Sequence, residues 1–129
     1  MKHILTAIFL WTAFCLNGHA QAKATFDKMT HEFGVVLWKH PATATFTIKN
    51  DGNKPLVISN VTTSCGCTVA DWTKEPIAPG KTGVVTSTFD AKALGHFYKD
   101  IGVYCNASDR PIYLALSGEV SADPKNYTL

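Results

Sequence analysis

The chain has 129 residues and a formal net charge of +2 at pH 7, enough for one domain with a single hydrophobic core and too little for a second. Twelve Lys and Arg stand against ten Asp and Glu, with no run of basic residues. Nucleic acid and anionic membrane surfaces both require a concentrated basic patch, and the sequence offers none.

Residues 1–20 read as a secretory signal peptide: Lys2 and His3 give a basic start, Ile4 to Leu16 is an apolar run, and Gly18-His19-Ala20 supplies small residues for cleavage after Ala20. The apolar run falls short of the roughly 20 residues that span a bilayer, which argues against a transmembrane anchor. Lipidation at Cys15 is disfavoured because Phe14 occupies a position where a lipoprotein signal requires a small residue. Export to the periplasm or beyond the cell is the expectation. Removing Lys2 leaves eleven basic and ten acidic residues, a net charge of +1.

The remainder reads as one domain over residues 21–122 followed by a polar tail, 123–129. It shows strands separated by turn signals and no 3.6-residue periodicity of helix length, so the predicted class is all-β. Phe26 to Val36 offers one or two short strands, with Gly34 permitting a bend. Thr43 to Asn50 alternates, with Ala44, Phe46 and Ile48 on a buried face and Thr45, Thr47 and Lys49 on a wet one. Asn50-Asp51-Gly52-Asn53 forms the following turn from residues that tolerate a left-handed backbone. Pro55 to Thr63 is the next strand, with Leu56 and Ile58 inward and a bulge near Val61. Thr68, Val69 and Trp72 precede Ala78-Pro79-Gly80-Lys81, whose Pro-Gly centre fits a type II turn.

Gly83 to Phe89 is a Val- and Thr-rich strand, and Asp90 to His96 a connection. Phe97 to Cys105 is a strand with Ile101, Val103 and Cys105 inward. Ile112 to Val120 alternates Ile112, Leu114 and Leu116 against Tyr113, Ala115 and Ser117. About seven strands match an immunoglobulin-like two-sheet β-sandwich without the antibody spacing of cysteines and tryptophan; a small β-barrel is the alternative.

Reactive side chains concentrate in Ser64-Cys65-Gly66-Cys67-Thr68. Three cysteines remain after the signal, so at most one intramolecular pair forms. A Cys65–Cys67 bond closes a three-residue loop and contributes about 1.6 kcal/mol on the chain-entropy formula. Such a bond is expected to be labile rather than structural. The alternatives are a Cu(I) site formed by the two thiolates, since Cu(I) accepts few soft ligands where structural zinc wants four, and thiol-redox chemistry. Cys105 should lie near Leu56, about eight strand residues from Cys65. At about 3.3 Å each that exceeds disulfide reach, so Cys105 is read as a buried thiol.

His31, His40 and His96 are scattered over different segments; Asp71, Asp90 and Asp100 form no carboxylate pair; Ser64 lacks the glycine-flanked elbow of a hydrolase nucleophile. Trp38, Trp72 and Tyr98 are candidates for a contact surface. No catalytic or cofactor-binding residue is assigned.

Phe26-Asp27, His31-Glu32-Phe33-Gly34, Asn50-Asp51-Gly52, Pro55-Leu56-Val57-Ile58, Ser64-Cys65-Gly66-Cys67-Thr68, Pro76-Ile77-Ala78-Pro79-Gly80, Phe89-Asp90 and Ser117-Gly118 together resemble the secreted bacterial family called domain of unknown function 1573. The resemblance implies an Ig-like sandwich of the broad class that includes major sperm protein and pilus chaperones, and it carries no established activity. The expected function is that of an exported, non-enzymatic binding or structural module for a protein or cell-surface polymer. The competing expectation is thiol-redox or Cu(I) handling through Cys65 and Cys67.

Overall fold

The computed structural model describes residues 20–123 and 125. The expected signal peptide, apart from Ala20, and most of the polar tail lie outside the described residues.

Eight strands and no helix occupy the described residues: β1 Ala24–Phe26, β2 Thr30–Leu37, β3 Ala42–Asn50, β4 Ile58–Thr63, β5 Thr68–Trp72, β6 Thr82–Phe89, β7 Gly95–Cys105 and β8 Ile112–Ser121. They form two four-stranded sheets, ordered β1-β3-β6-β5 and β2-β8-β7-β4. Every neighbouring pair is antiparallel except β2 with β8. This is the Ig-like sandwich arrangement with its first strand divided between the sheets. The division accounts for the strand beyond the predicted seven: β1 pairs with β3, and β2 then joins the other sheet beside β8. Gly34, at φ 70°, sits where the β2–β8 register shifts between Glu32 and Val35.

Phe46, Ile48 and Val85 from one sheet meet Ile101, Val103, Leu114 and Leu116 from the other, all fully buried. The alternation in β3 is as expected, with Ala44, Phe46 and Ile48 buried and Thr45 and Lys49 exposed. In β8 one position departs from the pattern: Ala115 is buried on the outer face, its short side chain flanked in register by Thr30 and Asp100.

The turn after β3 works differently from the expectation. None of its residues has a positive φ. Buried Asn50 instead donates from Nδ2 to the carbonyls of Lys54 (2.7 Å) and Ile77 (2.9 Å), and its Oδ1 accepts from Gly52 N–H (2.9 Å). Gly52 is there for space, since a Cβ would collide with the Gln21 carbonyl and with Lys23 N. The type II turn is as predicted: Gly80 has φ 78° and Lys81 N–H donates to the Ala78 carbonyl at 2.9 Å.

The strand predicted from Pro55 begins later, at Ile58, because Leu56 leaves to exchange two backbone hydrogen bonds with Ile77. A bulge between Ile58 and Asn60 then allows Ile58 and Val61 both to face the core.

β4 and β5 are edge strands of different sheets on the same side of the sandwich, joined by Ser64–Cys67. Their backbone groups are partly taken up by their own side chains. Val61 N–H donates to Asn60 Oδ1 (2.9 Å) and Trp72 N–H to Asp71 Oδ1 (2.9 Å). The Thr68 carbonyl accepts from the Thr63 hydroxyl (3.2 Å). Groups occupied in this way are not offered to an incoming strand.

Candidate functional site

The crossover from β4 to β5 carries the cysteine motif. Cys65 and Cys67 are joined in a disulfide with Cα atoms 5.3 Å apart, and both are half-buried. The backbone around them is fixed independently of the bond. Ser64 extends the ladder with Asp100: its N–H donates to the Asp100 carbonyl, and Asp100 N–H donates to Ser64 Oγ, each at 3.1 Å. Asp90 N–H donates to the Cys67 carbonyl (2.9 Å). The Thr63 hydroxyl lies 3.0 Å from the Cys65 carbonyl and 3.2 Å from that of Thr68.

Thr68 closes the cysteine motif in the sequence, but its role at this site is visible only in the fold. It is buried, and its hydroxyl lies 3.8 Å from Cys65 Sγ and 3.9 Å from Cys67 Sγ. One hydroxyl oxygen is therefore within reach of both sulfurs, and its proton can rotate to donate to whichever bears negative charge once the bond opens. Gly66 is exposed, lacks a positive φ, and a Cβ on it would meet nothing within 4 Å. Apart from its two cysteine neighbours, nothing in the fold therefore requires a glycine here for space or for backbone angle.

Cys67 packs against the hydrophobic core and lines a cleft of about 250 Å³ with Phe89, Lys92, Leu94, Phe97 and Lys99 among its walls. Phe89 and Phe97 stack with ring centroids 4.1 Å apart. Leu94 is 58% exposed although apolar. The loop that presents it is held by Trp38 Nε1–H donating to the Lys92 carbonyl (2.9 Å) and Lys39 N–H donating to that of Ala91 (2.8 Å). Neither Lys92 nor Lys99 forms an ion pair among the described residues, whereas Asp90 Oδ1 already accepts from Lys92 N–H (3.2 Å). The cleft is thus apolar inside and weakly positive at its rim.

Cys105 pairs in register with Ile58, two residues from the expected Leu56, and is a free, buried thiol. His31 is half-buried in β2, in edge contact with Phe33 (centroids 4.5 Å apart), and its Nδ1 lies 2.8 Å from Lys28 Nζ. Burial first, and the Lys28 charge second, hold its pKa below the ordinary imidazole value. His40 is exposed in a turn and His96 is exposed beside the cleft. The Asp71 pKa is lowered by the Trp72 backbone hydrogen bond and by Lys74.

Of the aromatic candidates, Trp38 and Trp72 are half-buried, Trp72 beneath the Lys74 ammonium; only Tyr98 is freely exposed, and Tyr104 and Tyr113 are exposed besides. No group of three or more His, Cys, Asp or Glu among the described residues converges on a metal-binding position.

Fold and site together define an Ig-like β-sandwich with a disulfide-bearing crossover beside an apolar cleft. The chain belongs to the family described as protein of unknown function (DUF1573), whose model matches residues 24–120. No curated protein matches the chain.

Among solved structures it is similar to a protein of unknown function from Porphyromonas gingivalis, at 21% identity and TM-score 0.69 over 83% of this chain and 51% of that one. This chain therefore spans about half the length of that protein. It is also similar to PapD-like domain 7 of human CEP192, at 10% identity and TM-score 0.67 over 95% and 96% of the two chains. A third similar structure is the secreted serine protease VesC of Vibrio cholerae, at 14% identity and TM-score 0.58 over 83% and 25%. At these identities the likeness is one of fold.

Proposed function

We propose that the chain is an exported Ig-like binding module that docks an extended apolar segment of a partner protein in the cleft beside Cys65–Cys67. The observation that carries this reading is the cleft itself: a stacked Phe89–Phe97 pair, an apolar Leu94 held out by a hydrogen-bonded loop, and a rim of two lysines without ion-pair partners. Exposed apolar surface rimmed by charge is a recurring mark of recognition sites. Two lysines against the single carboxylate of Asp90 leave the cleft net positive, which favours an acidic flank on the partner. Export is supported by the composition of residues 1–20 and by the disulfide, a bond that persists in oxidising compartments.

Fluorescence anisotropy with cysteine-free peptides tests the docking. Peptides combining apolar and acidic residues should bind and should lose about tenfold in affinity on Leu94→Asp. Equal affinity for Gly/Ser/Lys peptides, or binding only of a cell-surface polysaccharide, would remove the protein-docking reading. For export, the mature protein should begin at Gln21 in intact-mass spectra.

One observation favours a second reading, thiol chemistry at the same site: the Thr68 hydroxyl lies within 3.9 Å of both sulfurs. Once reduced, Cys65 and Cys67 are also a two-thiolate donor set of the kind that suits Cu(I). Competition with a Cu(I) chelator, using the reduced protein and its Cys65→Ser/Cys67→Ser double variant, tests that part. Retention that is the same in both removes copper.

A further inference from the structure

We infer that Cys65–Cys67 is a dithiol–disulfide exchange centre that accepts two electrons from peptide segments carrying a pair of cysteine thiols. The inference rests on the docking reading above and names the substrate class of the same cleft.

Three features converge. The disulfide is half-buried at both ends, with exposed Gly66 between its two cysteines and Cys67 lining the apolar cleft. A buried hydroxyl, Thr68, stands next to both sulfurs. The crossover backbone is tied down by Thr63, Ser64, Asp90 and Asp100 through bonds that do not involve sulfur. A bond serving only as a staple would not need the last of these. A centre that cycles between disulfide and dithiol does, because the loop must hold its place in both states.

The step follows from position. A segment seated in the cleft brings its thiolate to Cys67, the cysteine of the pair that lines the cleft. The new bond forms between the substrate sulfur and Cys67 Sγ while the Cys65–Cys67 bond breaks. Cys65 leaves as a thiolate, accepts the Thr68 hydroxyl proton in a hydrogen bond, and takes a proton from solvent. The second substrate thiolate then attacks the first substrate sulfur and displaces Cys67 as a thiolate, which Thr68 serves in turn. The substrate becomes a disulfide, having lost two electrons and two protons, and Cys65 and Cys67 become two thiols. Stabilising the leaving thiolate accelerates each displacement.

The experiment mixes the oxidised mature chain with a reduced Cys-x-x-Cys peptide bearing apolar and acidic flanks, and follows both partners by mass under acid quench. The expected result is a loss of two mass units from the peptide matched by a gain in the protein. The initial rate should saturate with peptide and run about tenfold faster than with Gly/Ser/Lys flanks. Thr68→Val should slow the maximal rate about tenfold with unchanged half-saturation, and Thr68→Ser, which restores the hydroxyl, should recover it. Leu94→Asp should raise half-saturation about tenfold, as expected for a cleft residue.

Peptide binding without electron transfer overturns the exchange inference and leaves docking intact. Transfer without saturation or flank preference overturns docking at the cleft, and the substrate class with it. Equal rates for wild type and Thr68→Val in the folded protein overturn the role of Thr68.

Discussion

The Thr63 hydroxyl reaches the Thr68 carbonyl at 3.2 Å and so ties the last residue of β4 to the first of β5, across the edge where the two sheets meet. The same hydroxyl lies 3.0 Å from the Cys65 carbonyl. Position at the crossover therefore depends on a threonine as well as on sulfur. Thr63→Val should cost about 1 to 2 kcal/mol in denaturant melts, through the lost donor and the carbonyls left without it. Reducing the disulfide, or replacing both cysteines by Ser, should cost no more than about 1.6 kcal/mol, the entropy of so short a loop. A larger loss in the double variant would make the disulfide the principal staple.

Phe46 has no exposed surface, whereas Thr45 beside it faces solvent. Phe46→Ala should destabilise the domain by about 3 to 5 kcal/mol, and Thr45→Ala should stay within about 0.5 kcal/mol. Equal costs would contradict the assignment of faces in β3.

Gly66 and Gly118 should respond in opposite ways to alanine. A Cβ at Gly66 meets nothing, whereas one at Gly118 would lie 2.8 Å from both the Gly34 carbonyl oxygen and the Phe97 ring. Gly66→Ala should melt as wild type does. Gly118→Ala should lose about 1 to 3 kcal/mol and disturb the cleft, because Phe97 is one of its walls. Matching melting curves for the two variants would refute this assignment.

The pH dependence follows from His31. Its folded pKa is lowered from 6.5, by burial first and by Lys28 second, so below that value the unfolded chain binds more protons than the folded one. The stability associated with neutral His31 is complete above about pH 6.5 and is lost as pH falls through the lowered folded value. Asp51 and Asp71, lowered from 3.8, act in a separate, more acidic window. Melting temperatures should therefore begin to fall just below pH 6.5, and His31→Gln should flatten that part of the curve. An unchanged slope in the variant would exclude His31 as its source.

Cys105, buried in β7, should resist alkylation until the protein unfolds. Labelling of the native protein at a rate comparable with a free thiol would place it outside the core.

Much of the fold was legible in the sequence because alternation reports burial directly: Ala44, Phe46 and Ile48, or Leu114 and Leu116, face inward as their spacing requires. The extra strand was not, since whether Phe26 and Phe33 share a sheet depends on partners far along the chain, β3 and β8. The site was half legible. Two cysteines around a glycine marked it, but Thr68 looked like any strand threonine until its hydroxyl was placed against the sulfurs. The cleft had one signal in the sequence, Leu94 standing as the only large apolar residue of the Asp90–His96 connection. Phe89 and Phe97 lie on different strands, and only pairing of the sheets brings them to 4.1 Å.

Docking at the cleft is tested most directly by amide chemical-shift mapping of the oxidised mature protein during titration with a cysteine-free apolar and acidic peptide. Perturbations should concentrate on Cys67, Phe89, Lys92, Leu94, Phe97 and Lys99, which are among the residues that line the cleft, and should saturate. Shifts confined to the face bearing Tyr98, Tyr104 and Tyr113, or no saturable shifts at any peptide concentration, would contradict docking beside the disulfide.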